Sequence, residues 1–229
     1  MRVLHLGGGE GGTLRVLCLG AHSDDIEIGC GGTLLSMISE NPAMEVHWVV
    51  FSAEGARAEE AQNGAEAVLK GAARSVVEVL DHRDGFFPFR GTEIKEWFEA
   101  LKTRFDPDLI LTHWDGDRHQ DHRLLSELTW NTFRNHLILE YEVPKYDGDL
   151  GNPNVFVPLS EEVRDRKIQL LMDTFSTQRE KSWFSPETFL ALMRLRGIEC
   201  ASPSGFAEGF HARKLTLSPG PVSRGAEGP

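Results

Sequence analysis

From Leu14 onward, short apolar runs alternate with amphipathic segments of helical length, and this alternation constrains the fold more than any other feature. Short runs rich in β-branched and apolar residues between turn signals are typical of buried strands, and segments with one apolar face are typical of helices. The predicted strands are 14–19, 46–51, 76–80 and 109–112, and the predicted helices are 31–39, 55–73, 94–104 and 122–137. This order predicts a Rossmann-like α/β fold, with a mainly parallel sheet and helices on both faces.

The alternation weakens after about residue 138, where Pro, Gly and Asp become frequent. Here we expect loops or edge strands at 140–149 and 153–158, helices at 161–173 and 186–196, and a last strand at 206–217. No repeat or linker divides the chain, and 229 residues suit one domain spanning 1–229. The glycine-rich start of the chain predicts a flexible segment at 1–13.

Charge and cysteine content limit the classes of partner. The chain has 24 Lys and Arg against 35 Asp and Glu, a net charge of -11, whereas nucleic acids and anionic membranes need basic patches. No apolar run approaches the ~18 residues that span a bilayer, and the N-terminus lacks a secretory pattern. Three irregularly spaced cysteines, Cys18, Cys30 and Cys200, favour a reducing compartment. We therefore expect a cytoplasmic protein that acts on a small molecule.

The first candidate site follows the first predicted strand, where the sequence reads Ala21-His22-Ser23-Asp24-Asp25. His22 and Asp25 are three residues apart, so on a turn that opens into a helix both side chains can point to one place. Imidazole and carboxylate groups are both good zinc ligands, and Asp24 between them can face the open metal position. Taken alone, an Asp-Asp pair at a helix start is more often an N-cap.

The second candidate site follows the fourth predicted strand and ends His119-Gln120-Asp121-His122. The two histidines share one helix face, so one can bind a metal while the other faces a substrate. Because parallel strands end at the same edge of a sheet, the two motifs together predict a metal-dependent hydrolase. The roles are metal ligand for His22, Asp25 and His122, general base for Asp24, oxyanion stabiliser for His119, and orientation of a histidine for Asp121.

Both motifs resemble those of the PIG-L/LmbE family of zinc-dependent N-deacetylases, which read A-H-P-D-D and H-x-D-H. The resemblance covers residues 14 to about 137 and carries the family's metal ligands, base and oxyanion residue onto the positions named above. It implies that a zinc-activated water removes an acetyl or other acyl group from the nitrogen of an amino-sugar-containing molecule. Ser23 stands where the family usually has Pro, but it is none of the inferred ligands.

The resemblance also points to substrate contacts outside the two motifs. Arg57 lies in a segment similar to the family's loop after the second strand, and Asp84 falls where the family often has an Asp near the substrate. His211 is a third candidate, with a structural role as its alternative. Because family members differ in their last third, residues 138–229 are expected to determine substrate choice. Family members are often oligomeric, although this sequence has no interface signature of its own.

Three questions remain open from the sequence. Two histidines and one carboxylate also accept Fe²⁺ or another divalent ion in place of Zn²⁺. The same site can act as an amidase on a non-sugar N-acyl compound or a thiol conjugate. A third interpretation is a non-catalytic sugar- or nucleotide-binding module, in which Asp24 is only a helix cap.

Overall fold

Seven β-strands form a single sheet in the part of the chain that the computed structural model describes, residues 12–216. The strands are β1 (Arg15–His22), β2 (Glu45–Ser52), β3 (Arg74–Val79), β4 (Leu109–His113), β5 (Leu137–Tyr141), β6 (Val155–Pro158) and β7 (Ala207–His211). Their order is β3-β2-β1-β4-β5-β7-β6. Strands β1 to β5 run parallel, and β7 is antiparallel to both β5 and β6. Of the segment 1–13 that was expected to be flexible, only the last two residues are described.

Helices cover both faces of the sheet, which confirms the predicted fold class. They are α1 (Asp25–Glu40), α2 (Ala56–Leu69), α3 (Gly91–Arg104), α4 (Gln120–Thr132), α5 (Glu161–Thr174) and α6 (Pro186–Glu199). Helices α3 and α4 pack together on one face, and α1, α2 and α5 pack together on the other. None of the helices between residues 12 and 216 is long and apolar enough to cross a membrane.

The central position of β1 in the sheet explains why its sequence is a continuous apolar run. Val16 and Cys18 belong to the core beneath α1 and α2, whereas Leu17 and Leu19 belong to the core beneath α3 and α4. Successive side chains of a strand point to opposite faces, so a central strand with both faces covered has no solvent-facing positions. All four of these side chains are completely buried.

Several helix ends differ from those predicted from the sequence, since α1 begins at Asp25 and not at 31 and α2 ends at Leu69 and not at 73, and one central strand was overlooked. The predicted helix 122–137 ends at Thr132, and residues 137–141 instead form β5, which lies between β4 and β7. The Pro, Gly and Asp residues at 140–149 led to the prediction of a loop or edge strand there, and two acidic residues, Glu140 and Glu142, lie at and just after the end of β5. Both carboxylates are buried, because Glu140 accepts a hydrogen bond from the Trp130 indole and Glu142 pairs with Arg196 at 2.7 Å.

The chain reverses direction across the sheet next to β1. From β1 it proceeds outward to β2 and β3, then returns to β4 on the other side of β1. Loops leave β1 and β4 in opposite directions, so a crevice opens beyond the carboxyl ends of these two strands. His22 is the last residue of β1 and His113 is the last residue of β4.

A buried ion pair ties the C-terminal elements to α1. Lys167 on α5 places its Nζ atom 2.6 Å from Oε1 of Glu208 on β7, and the two side chains are only 4% and 3% exposed. The Glu208 carboxylate also accepts hydrogen bonds from the backbone N–H groups of Gly32 at 2.8 Å and Thr33 at 2.6 Å. Residues far apart in the chain thus fix the helix whose first turn carries Asp25.

We expect Glu208→Leu to lower the free energy of unfolding by about 3–5 kcal/mol, because it leaves the Lys167 ammonium buried without its counter-charge. Urea unfolding followed by circular dichroism measures this change. Glu93→Leu is the matched control, since its pair with Arg90 is half exposed and both charges keep much of their water. An equal loss in both variants would mean that the buried pair has no special role.

Candidate metal centre

Three side-chain atoms from the two sequence motifs meet at the crevice. His22 Nδ1 lies 3.3 Å from Asp25 Oδ2, His122 Nε2 lies 3.4 Å from the same oxygen, and the two nitrogens are 3.2 Å apart. A tetrahedral ion bound at ~2.0–2.2 Å separates its ligand atoms by about 3.4 Å. The triangle of two nitrogens and one oxygen therefore fits a small divalent ion such as Zn²⁺ or Fe²⁺.

Local structure explains why His22 and Asp25 converge. His22 ends β1, Asp25 begins α1, and the intervening two-residue turn folds the carboxylate back so that Asp25 Oδ2 accepts the backbone N–H of His22 at 2.7 Å. Burial opposes ionisation of Asp25, but His122, His113 and His22 outweigh it and hold the pKa of this carboxyl well below its usual range. The site therefore presents a carboxylate at neutral pH.

Asp24 occupies the N-cap position of α1, but its side chain makes no capping hydrogen bond. One oxygen, Oδ1, lies 3.0 Å from the Arg57 guanidinium, and the other, Oδ2, is buried with no hydrogen-bond partner among residues 12–216. Burial raises the pKa of Asp24, and the charge of Arg57 limits this rise. The carboxyl group borders the crevice, in the place that a general base would need.

Asp121 lies beside the ring nitrogen of His22 that does not face the triangle. Its Oδ2 lies 3.4 Å from His22 Nε2, and the backbone N–H groups of Gly85 and Phe87 donate to its two oxygens at 2.6 and 3.0 Å. Asp84 Oδ1 approaches the same His22 nitrogen at 3.0 Å, and this close contact with His22 lowers the pKa of Asp84 to about 2. Such outer partners hold a ligand histidine in one orientation.

Asp117 performs the corresponding task for His122 and was assigned no role from the sequence. Its Oδ2 lies 2.9 Å from His122 Nδ1 and 2.8 Å from Lys145 Nζ. Burial alone would raise the pKa of Asp117, but His122 and Lys145 hold it well below its usual range. The available signal was its position within a ten-residue stretch that holds three histidines.

His113, also without a role in the sequence analysis, supports the triangle from beneath. Its ring stacks on His122 with centroids 3.9 Å apart, and its Nε2 lies 3.3 Å from Asp25 Oδ2. That nitrogen accepts the backbone N–H of Ala21 at 2.9 Å, so its lone pair is already engaged. Burial lowers the pKa of His113 to about 4, which keeps the ring neutral. We infer that it orients the ligands.

His119 is the N-cap residue of α4, and its Nδ1 accepts the backbone N–H of Asp121 at 3.3 Å. Burial lowers the pKa of His119, and charge on His122 and His22 lowers it further. A neutral imidazole that accepts at Nδ1 carries its proton on Nε2. The side chain borders the crevice, where it can offer this N–H as a donor.

The triangle opens into a cleft of about 480 Å³. Two of the three candidate substrate contacts, Arg57 and Asp84, line this cleft. The third, His211, is not among the lining residues, and its ring stacks on Trp114 with ring centroids 4.4 Å apart. The far wall comes from residues after 138, and its members are Val143, Lys145, Tyr146, Asp147, Thr177, Gln178, Lys181 and Trp183. Of these, none was singled out from the sequence.

Fold and site together define a Rossmann-like protein with a cluster of histidines and aspartates that could hold a metal ion at the reversal point of its sheet. The PIG-L family model, described as GlcNAc-PI de-N-acetylase, matches residues 17–133, from β1 to the end of α4. The chain belongs to this family.

Solved structures with the same fold cover most of the chain. A conserved protein from Thermus thermophilus is 20% identical, with a TM-score of 0.67 over 93% of this chain and 100% of that one. The N,N'-diacetylchitobiose deacetylase from Pyrococcus horikoshii is 19% identical, with a TM-score of 0.64 over 86% and 82%. The 4-carboxy-2-hydroxymuconate hydratase from Pseudomonas putida is 18% identical, with a TM-score of 0.70 over 91% and 100%. At these identities the likeness establishes the fold alone.

His122→Ala should abolish stoichiometric metal binding, because it removes one corner of the triangle, whereas Asp24→Asn should retain the metal. Inductively coupled plasma mass spectrometry of refilled, desalted protein measures the metal content. His136→Ala is the control. The His136 ring lies outside the crevice, with its Nε2 atom 2.9 Å from Asp106 Oδ1. Full metal content in His122→Ala, with loss in His113→Ala, would replace His122 with His113 as the ligand.

Asp117→Asn should weaken metal affinity about 10- to 100-fold, because His122 loses the carboxylate that holds its ring. Competition with a chromophoric chelator gives the dissociation constant. Asp149→Asn is a matched control, since Asp149 binds the same Lys145 ammonium at 2.7 Å but is not a partner of His122. Similar weakening in both variants would assign the effect to the lysine instead of the histidine.

Proposed function

We propose that this protein is a metal-dependent hydrolase that removes an N-acetyl or other N-acyl group from an amino-sugar-containing small molecule. One observation carries the proposal. The triangle formed by His22, Asp25 and His122 lies in the same cleft as the Asp24 carboxyl, which has an unpartnered oxygen within the described chain. Ligands with a base beside them are what amide hydrolysis by activated water requires.

Each residue of the site has a chemical task in this proposal. A divalent ion held by the triangle would supply Lewis acidity, which polarises an acyl carbonyl and lowers the pKa of water toward ~7. Asp24 accepts the proton of the attacking water at Oδ2, while Arg57 holds Oδ1. His119 donates from Nε2 to the developing oxyanion. Asp24 then returns the proton to the leaving amine, and Asp121 keeps His22 in place.

Family membership and the named activities of several neighbours support an acylated amino sugar as the substrate. The family model is named for a de-N-acetylase, and the neighbours include deacetylases for diacetylchitobiose and for the pseudoaglycone of A40926. The metal is proposed as Zn²⁺, with Fe²⁺ or another divalent ion as the alternative. Another neighbour is a zinc-inhibited form of teicoplanin deacetylase, so zinc has to be titrated rather than added in excess.

The alternatives receive different support. A non-sugar N-acyl compound or a thiol conjugate needs the same site residues, so only substrate profiling separates these from an amino sugar. A non-catalytic binding module predicts Asp24 to be a helix cap, and the absent capping bond counts against it. The hydratase among the neighbours is a reason to test hydration of an activated double bond as well.

Two further features of the proposal concern the chain as a whole. We propose a single domain, because β5, β6 and β7 extend the same sheet that β1 to β4 begin. We also propose a cytoplasmic location, which three free and buried cysteines support. Oligomeric state rests on the family resemblance alone.

The decisive experiment is acetate release from a panel of N-acetyl amino sugars and their glycosides, with chelator-stripped enzyme refilled by graded Zn²⁺ or Fe²⁺. Release that disappears on stripping and returns on refilling supports a metal-dependent deacetylase. If one metal ion binds per chain but no compound releases acetate, the substrate is not an acetylated sugar of this panel. Absence of both release and metal would overturn the proposal and favour the binding module.

Asp24→Asn should reduce kcat on the best substrate about 10²- to 10⁴-fold while the metal content stays unchanged, because the amide cannot take a proton from water. Steady-state kinetics on refilled protein measures the loss. Asp106→Asn, a surface substitution in the pair with His136, is the control and should keep full activity. Wild-type kcat in Asp24→Asn would remove Asp24 from the reaction.

A further inference from the structure

A short 3-10 turn, Ser176–Gln178, forms part of the far wall of the cleft and is anchored by Glu60 on α2. Glu60 Oε1 accepts hydrogen bonds from the Ser176 hydroxyl at 2.9 Å and the Thr177 backbone N–H at 2.8 Å. Its Oε2 accepts from the Thr177 hydroxyl at 2.6 Å. Glu60 lies one helical turn after Arg57, so the same helix holds both the proposed base and this wall.

These hydrogen bonds determine which way the Gln178 amide faces. The single proton of the Thr177 hydroxyl goes to the Glu60 carboxylate, which only accepts. The Thr177 oxygen can therefore act only as an acceptor toward Gln178, whose Nε2 lies 3.0 Å away. The amide nitrogen must face Thr177, and the amide oxygen is left for another partner.

That oxygen has no partner in the described part of the chain. Gln178 is only 3% exposed and its Oε1 atom accepts no hydrogen bond from residues 12–216, although the residue lines the cleft. A buried acceptor without a donor costs free energy, and most such groups in proteins find a partner. A ligand that brings a hydroxyl or N–H group to this wall removes the cost.

Two aromatic side chains line the same cleft as Gln178. Tyr146 and Trp183 line it with ring centroids 6.4 Å apart, and Trp183 is fixed edge to face against buried Phe184 at 5.6 Å. A pyranose ring has an apolar face of C–H groups and a rim of hydroxyl donors. The wall offers a counterpart to both, since amphipathic aromatic surfaces pack against the C–H face and Gln178 supplies an acceptor for the rim.

We propose that Gln178 is a specificity-determining residue, which accepts a hydrogen bond from one hydroxyl group of a carbohydrate ring packed beside Tyr146 and Trp183. The inference deepens the proposed function, on which it rests, by assigning a sugar hydroxyl to a named acceptor. It predicts that the enzyme discriminates against the analogue in which that hydroxyl is replaced by hydrogen. A site built to bond a hydroxyl rejects the analogue lacking it, because its own buried group is then left unpaired.

The test combines monodeoxy analogues of the best carbohydrate ligand with a substitution at Gln178. Gln178→Met keeps the length of the side chain without the acceptor. Gln169→Leu on α5, an exposed glutamine bonded to Asp173 at 2.7 Å, is the matched control. Both kcat/KM of the refilled enzyme and ligand affinity of the Asp24→Asn protein, by isothermal titration calorimetry, are measured.

The wild-type protein should lose about 10-fold or more in kcat/KM and in affinity for one deoxy analogue. Gln178→Met should show a similar loss for the parent sugar but no further loss for that analogue, and Gln169→Leu should keep the preference for the parent. If sugars bind with this pattern but release no acetate, the proposed function fails and the role of Gln178 stands.

Three results would overturn the inference. The first is wild-type protein that treats every deoxy analogue like the parent, a measurement that needs no variant to fold. The second is Gln178→Met protein, folded by circular dichroism, that weakens parent and deoxy analogues equally. The third is the absence of binding by any carbohydrate, whether or not a non-sugar N-acyl compound is hydrolysed.

Discussion

The Asp25 carboxylate is the point on which the arrangement of the site depends. Its Oδ2 atom lies within 3.4 Å of nitrogens on three histidines, His22, His113 and His122, and it also accepts the backbone N–H of His22. Three imidazoles packed this closely disfavour one another's protonation, and a buried carboxylate without positive partners would disfavour ionisation. The carboxylate is stabilised in this buried position by the three imidazoles around it. A divalent cation would supply the same positive charge.

The surrounding structure acts to hold that cluster still. Each ligand histidine has an acidic partner on its other nitrogen, Asp121 for His22 and Asp117 for His122. Asp121 is in turn fixed by two backbone N–H groups, and Asp117 by the Lys145 ammonium. Outer contacts of this kind determine ring orientation, which a metal centre needs before it can bind an ion with defined geometry. The polar network is extensive because a partly satisfied one would be costly in a buried position.

The walls of the cleft come from two different parts of the chain. The side that carries His22, Asp25 and His122 comes from β1, α1 and α4, within the region that the family model matches. The far wall comes from the turn Ser176–Gln178 and neighbouring residues, which Glu60 on α2 anchors. The two sides of the cleft therefore come from separate parts of the sequence that only the folded chain brings together.

By itself the sequence determined the fold class and the first members of the site. Apolar runs such as Val16 to Leu19 have one stable environment, the middle of a covered parallel sheet, and His22 with Asp25 carries its geometry within three residues. Only the tertiary structure decided the strand β5, the roles of His113 and Asp117, and the acceptor at Gln178. These depend on which polar groups become buried together, since Glu140 and Glu142 can be buried only because Trp130 and Arg196 pack against them. Pairings between distant residues have no local pattern, because their free energy comes from burial and counter-charges that the folded chain alone provides.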